Sequence, residues 1–409
     1  MLFPKQKIAE QCRSFIERRS SSNGARVNAR LLHLFICPEN KPSDGSNNHE
    51  IAAHDSVDLH IVLFPADSYP IAKEFWQHTG QGISSRLAEK CLSLWSEDSL
   101  NSVKSSSPVS NRFPPSRGHH RHYSAVKVPC KPSSPKSDSP SSPVVEDLGL
   151  GKDHSVYLEE RYGRNLPLSA AAFAKRVLRS RVAGVLKENS SGCQSEPYTE
   201  QKDLVVGPST RGVAEVAVDD VYLYPSGMAA IWNAHNMALA VLPPAKSICF
   251  GLVLRYDLPM NILDRLLSSL MIRFPYIDTL KILQKWGPGC HFLGLGIDTE
   301  VDQLEILLEE EFNRNPAVPP ILALFTEFPS NPLLRSANLP RLRALADKYD
   351  FLIVIDETIG NFVNVEVLPY ADIVVSSLTK VFSGASNVMG GRYILLFSLV
   401  SDIGTLLAH

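Results

Sequence analysis

The sequence predicts an α/β fold, a mainly parallel sheet covered by helices on both faces. Three observations carry this. From about residue 145, short apolar runs alternate with stretches of helical period. Polar residues and turn formers follow several of those runs, where α/β sheets present their ligand sites. With 409 residues, 44% of them apolar and 21% charged, a sizeable core is feasible, in two or three domains.

Residues 1–95 read as an α/β extension. A strand is expected at 58–64 and helical pieces at 69–76 and 83–94, around a glycine-containing turn. Trp76 and His78 lie in the polar-aromatic stretch EFWQHTGQGISSR, read as a packed surface motif. Residues 96–144 are rich in serine and proline and poor in aliphatics, so they are expected to be a disordered linker. Its part 117–122 carries three histidines, read as a solvated tail rather than an anion or metal site.

Residues 145–391 form the expected large domain. A basic amphipathic helix is predicted at 170–186, then a polar loop at 187–203. Strands follow at 218–224, 247–250, 321–325 and 351–355, with helices at 227–242, 301–313 and 339–349. A strand at 373–376 closes the series.

The net charge of -2 argues against a nucleic-acid role. Seven scattered cysteines without a CxxC pair suggest neither a structural zinc site nor a disulfide scaffold. No apolar run reaches membrane-spanning length, and the N-terminus does not read as a signal peptide, so a soluble cytoplasmic protein is expected.

Three segments carry chemistry. In SSLTKVFSG, a short strand delivers Ser377, Thr379 and Lys380 into a Gly/Ser-rich loop. Such a lysine can bond to an aldehyde cofactor while the hydroxyls take its phosphate. The plain alternative is a solvated lysine after a buried strand. In FLIVIDETIGN, Asp356 follows five apolar residues at the exit of a central strand. A carboxylate there needs a partner, and a cationic ring nitrogen suits it. The rival is a metal-binding acid pair with Glu357, weakened because adjacent residues on a strand point to opposite faces. In YPSGMAAIW, Ser226, Gly227 and Met228 stand where a strand becomes a helix, and free N–H groups there favour a phosphate. Alternatively Ser226 is a helix cap and Met228 is core. In EFPSNP, Asn331 is either a donor to a ring hydroxylate or part of a turn. A nucleotide-binding αβ protein ranks last, because neither GxxxxGK[ST] nor GxGxxG occurs.

Together FPADSYPIAKEFWQHTGQGISSR, EERYGRNLP, YPSGMAAIWNAHN, FPYIDTLKILQKWGPG, LFTEFPSNPLLR, DETIGNFVNV and SSLTKVFSGASNVMGG resemble the Cys/Met-metabolism family of pyridoxal-phosphate enzymes, within it the fungal cystathionine gamma-synthases. The resemblance implies an aspartate-aminotransferase-like (fold type I) large domain. It implies pyridoxal 5'-phosphate bonded to Lys380, which also serves as acid-base, with Asp356 on the pyridine nitrogen. It gives the phosphate to the Gly227 and Met228 amides with Ser377 and Thr379, and adds Ser226 and Thr358 to the cofactor-binding set. It stacks Tyr276 on the ring, as part of the catalytic set with Lys380, and places Asn331 near the ring's 3' oxygen. Tyr162 and Arg164 match residues that reach the neighbouring subunit's phosphate, which implies a homodimer or homotetramer. The implied reaction is γ-replacement on O-acyl-homoserine by cysteine, giving cystathionine for methionine biosynthesis.

The resemblance has gaps. Residues 252–273 read as an insertion, and Leu293–Ile297 is apolar where the family has a polar turn. It stops at Gly391, and 392–409 reads as an atypical tail. The family's smaller C-terminal domain is therefore expected to be missing. An inactive homologue that keeps cofactor binding or acts as a scaffold is the alternative.

Overall fold

Two sheets organise the described residues, one of three strands and one of seven. The computed structural model describes residues 1–22, 27–36, 56–94, 171–187, 206–251, 277–385 and 388–396. The expected linker, the basic tail and the insertion at 252–273 lie outside these residues, as does everything beyond 396. The chain divides into two compact units, one of Met1–Ile36, Ser56–Ala88 and Pro167–His409, the other of Cys37–Asp55 and Glu89–Leu166. Only residues 89–94 of the second are described, and both sheets belong to the first.

The small sheet is antiparallel, in the order β1 (Leu2–Phe3), β3 (Val57–Leu63), β2 (Arg30–Ile36). Helices α1 (Gln6–Ser22) and α2 (Tyr69–Thr79) pack on it, and α3 (Ser85–Leu94) comes next in the chain. Phe3, Phe15, Ile16, Val62, Ala72 and Phe75 form its core, which gives this part its own hydrophobic centre. The strand at 58–64 and the helix beginning at Tyr69 stand as expected, while β1, α1 and β2 had no sequence prediction. Gly80 closes α2 in the left-handed conformation, φ +59°, with its N–H on the Trp76 carbonyl. His78 is buried and Trp76 is half-exposed.

The large sheet takes the order β4 (Val221–Tyr224), β10 (Gly391–Leu395), β9 (Ile373–Ser377), β8 (Leu352–Asp356), β7 (Ala323–Glu327), β5 (Ser247–Phe250), β6 (Cys290–Leu293). Strands β5 to β9 are parallel. β10 alone runs antiparallel, between β4 and β9. Side chains alternate across the sheet. Ile353, Ile355, Val374 and Ile394 join the core under α7 (Asp298–Arg314) and α8 (Leu339–Tyr349). Val354, Val375, Tyr393 and Leu395 join the core under α5 (Gly227–Val241) and α6 (Ile277–Lys285).

Three expectations need correction. Residues 218–220 form a 3-10 turn rather than strand, because the Asp220 carboxylate accepts the Ala217 N–H at 2.7 Å and curls the chain. The helix expected at 170–186 is α4 (Ala171–Ala183), ended by Gly184 at φ +71°. The strand series does not close at Ser376, since β10 comes after it. β6 had no prediction either.

The two sheets meet through helices. α2 packs on α5 and α6. Trp286, just after α6, stacks on Phe15 at 4.6 Å between ring centres and meets Phe75 and Trp232 edge-on at 5.7 and 5.8 Å. Lys285 pairs with Glu74 of α2 at 2.5 Å.

Candidate active site

Parallel strands release their polar residues at one edge, and the sequence places an acid, a hydroxyl and a lysine there. β8 ends in Asp356 after four buried residues. Its Oδ1 accepts the Thr358 N–H at 2.9 Å and the Thr358 hydroxyl at 2.5 Å. The same hydroxyl oxygen accepts the Ser377 N–H of β9 at 2.8 Å. Thr358 therefore ties two strand ends together and fixes the carboxylate. Burial pushes the Asp356 carboxyl above its ordinary range, opposed by these two hydrogen bonds.

After β9 the backbone enters a tight turn, Leu378–Phe382, in which Lys380 leaves helical geometry at φ -89°, ψ -118°. The turn is pinned by Thr379, whose hydroxyl accepts the Gly390 N–H at 3.1 Å and donates to its carbonyl at 3.4 Å. The Thr379 oxygen is thus engaged with backbone and does not line the cavity.

The helix end comes from the β4–α5 turn. Ser226 caps α5, its Oγ accepting the Ala229 N–H at 3.2 Å. The first-turn N–H groups of Gly227 and Met228 have no acceptor within the helix. Gly227 is required by close approach, because a Cβ there would stand 2.6 Å from the Ser377 Cβ. The Met228 side chain is core, so the plain reading of this segment, a capping serine and a core methionine, holds for its side chains.

These pieces converge. A cavity of about 220 Å³ is lined by Gly227, Asp356, Thr358, Ser377, Lys380 and Asn331, with Glu327 and the apolar Ile231, Pro329 and Ile359. The structure does not bring Ser226, Thr379 or the Met228 side chain into it; the Ser226 hydroxyl is spent on the Gly80 carbonyl and the Ala229 N–H. Tyr276, Tyr162 and Arg164 lie outside the described residues.

Glu327 is the residue that sequence reasoning missed. It ends β7 in register with Asp356, is buried, and its Oε2 accepts the Asn331 N–H at 2.8 Å. Burial, then the neighbouring Asp356, push its carboxyl up to about 8. Its signal was close to that of Asp356, an acid at the end of a buried run, here ILALF followed by Thr326. Glu357 points to the other face. It accepts from Arg211 at 2.9 Å and from Arg392, both guanidiniums buried, with Phe362 against each. This ion cluster separates Glu357 from Asp356 and dissolves the acid pair.

Residues 1–84 match the family model of the fungal trans-sulfuration enzyme N-terminal domain, and residues 296–398 match that of the Cys/Met metabolism PLP-dependent enzymes. A cystathionine gamma-synthase-like enzyme of Amanita muscaria, iboG2, is 49% identical over 404 residues, which is 97% of this chain and 55% of that protein. The cystathionine gamma-synthase of Neurospora crassa is 36% identical over 396 residues, 96% of this chain and 58% of that one. The alanine racemase ungC of Aspergillus violaceofuscus is 34% identical over 83% of this chain and 43% of that protein. The chain thus spans somewhat more than half the length of the first two relatives. With its N-terminal part matching the fungal domain and its strand-end acid and lysine inside the PLP-dependent match, the chain belongs to the fungal trans-sulfuration branch of the Cys/Met-metabolism pyridoxal-phosphate-dependent enzymes, of fold type I.

Proposed function

We propose that the protein catalyses γ-replacement on an O-acyl-homoserine, with cysteine sulfur as the incoming group and cystathionine as the product. The convergence of Lys380, Asp356 and the first turn of α5 on one cavity supports this most directly.

The residues present fit pyridoxal phosphate by their chemistry. Asp356 would hold the pyridine nitrogen, and its raised carboxyl is returned to the charged form by a cation beside it. The Gly227 and Met228 amides and Ser377 would hold the phosphate. Lys380 would bond to the aldehyde carbon, and Asn331 would meet the ring oxygen. Bound there, the cofactor supplies an electron sink for the carbanion at the amino acid's α-carbon.

The rest is done by the chain's own side chains. The Lys380 amine moves the proton at the substrate α-carbon as general acid-base. Thr358 keeps Asp356 aligned without taking its charge. Ile231, Pro329 and Ile359 exclude water from one wall. Tyr162 and Arg164 would reach the phosphate of a neighbouring copy, so the working form is an oligomer, in the cytoplasm. The cystathionine gamma-synthase names of the relatives support the substrate class.

The test is titration of the full chain with pyridoxal phosphate. Wild type gains the visible absorption band of bound cofactor, and Lys380→Ala does not. Incubation with acyl-homoserine and cysteine then yields cystathionine. A folded wild type without the band ends the cofactor reading, and a band without product ends the γ-replacement reading.

A further inference from the structure

The first turn of α5 is not held by the large sheet alone. The backbone of the N-terminal part reaches it at Gly80, the residue that closes α2. The Ser226 hydroxyl donates to the Gly80 carbonyl at 3.2 Å and accepts the Ala229 N–H at 3.2 Å. Its single proton is committed to Gly80, so its lone pairs face the helix. The approach is close: a Cβ at Gly80 would stand 2.2 Å from Ser226 Oγ, 2.7 Å from the Ala229 nitrogen and 2.8 Å from the Met228 Cβ. Two of these three are parts of the helix's own first turn and cannot swing aside. The left-handed φ of Gly80 also excludes an ordinary side chain without strain.

The contact is supported from behind. His78, Thr79 and Gln81 are buried. Phe75 and Glu74, on the same helix as the Gly80 cap, meet Trp286 and Lys285 of the large domain. A chain of packing thus runs from the aromatic junction along α2 to the Ser226 cap.

We propose that the N-terminal part is a brace for the anion-binding turn, with Gly80 as a positioning residue that acts through Ser226 on the amides of Gly227 and Met228. This rests on the reading of that turn as the phosphate cradle. The contact sits one residue from Gly227, which lines the cavity. By holding the cap hydroxyl on the Gly80 side, the brace leaves the next two N–H groups to a ligand rather than to Ser226. Phosphate affinity is then a property of both parts together.

The experiment compares pyridoxal phosphate with pyridoxal, which lacks the phosphate, in the full chain. Gly80→Ala weakens pyridoxal phosphate about tenfold, the size of one lost charge-assisted hydrogen bond. It leaves pyridoxal unchanged. Gly82→Ala is the control. It alters the same loop, yet its Cβ meets only the half-exposed Trp76 ring, at 3.0 Å, which can turn away. It keeps both affinities. Hydrogen exchange of the free protein adds a readout without cofactor: the amides at 227–229 exchange faster in Gly80→Ala and not in Gly82→Ala. If Gly80→Ala does not fold, Glu74→Gln takes its place. It removes the carboxylate that holds Lys285, neither of which lines the cavity, and speeds the same exchange. Equal loss for both ligands, or unchanged exchange at 227–229, overturns the brace. A wild type that binds neither ligand yet shows the exchange change would leave the brace standing and remove the cofactor reading instead.

Discussion

Glu327 and Asp356 face one another across neighbouring strand ends, and Asp356 adds to the cost of charging Glu327. Burial lifts Glu327 from 4.5 to about 8, so the folded protein keeps a proton there that the unfolded chain releases. A carboxyl raised in the folded state contributes stability that is complete below about pH 4.5 and lost as pH rises to about 8. The slope is at most about 1.4 kcal/mol per pH unit. In the cofactor-free protein, Glu327→Gln therefore gains stability over wild type across that window, and the two curves run parallel below it. Chemical denaturation at a series of pH values checks this. At this scale the sequence was most readable where polar residues or glycine follow a short apolar strand. Lys380, Asp356, Ser377 and Gly227 announce themselves that way and line the cavity. Thr379 shares the signal, yet its hydroxyl closes on Gly390, a contact of eleven positions that no local pattern displays.

The elements are held in register by two kinds of contact, buried charge and close backbone approach. Glu357 lies between Arg211 and Arg392, joining the loop after β8 to β10 and to the segment after α4. Removing the anion strands two cations in the core. Glu357→Ala should cost about 3–5 kcal/mol, read as a lower urea midpoint, although Glu357 does not line the cavity. Gly391 begins β10 against the β4–α5 turn, where a Cβ would stand 2.0 Å from the Ser226 carbonyl oxygen and 2.7 Å from the Gly227 nitrogen. Gly391→Ala should part β10 from β4, seen as loss of amide protection across both strands. Most helices and strands were legible from their period, because burial on two faces writes itself into the sequence. β10 was not, since its MGG start reads as loop and its place between β4 and β9 is set by partners far away in sequence. The 3-10 turn at 218–220 escaped for a related reason: a single side chain, Asp220, overrides a strand-like run.

Across the whole molecule, the N-terminal part and the large domain share one aromatic seam. Trp286 touches Phe15, Phe75 and Trp232, so its ring belongs to both. Trp286→Ala should lower stability by about 2–3 kcal/mol and separate one thermal transition into two in calorimetry. The sequence told of two globular regions but not of this seam, because each aromatic is accounted for equally well as local core. The sheet order has a bearing on how the protein is made. β10 lies inside the sheet but is the last described strand to leave the ribosome, so β4, and with it the α5 turn, has no place in the ladder until then. Such late pairing across long sequence separation is slow and leaves strand edges open. Nascent chains arrested with fewer than 391 residues exposed should be cut readily by protease near 221–230, and those with β10 free of the tunnel should resist. Synthesis, rather than denaturant, is where this topology is most vulnerable.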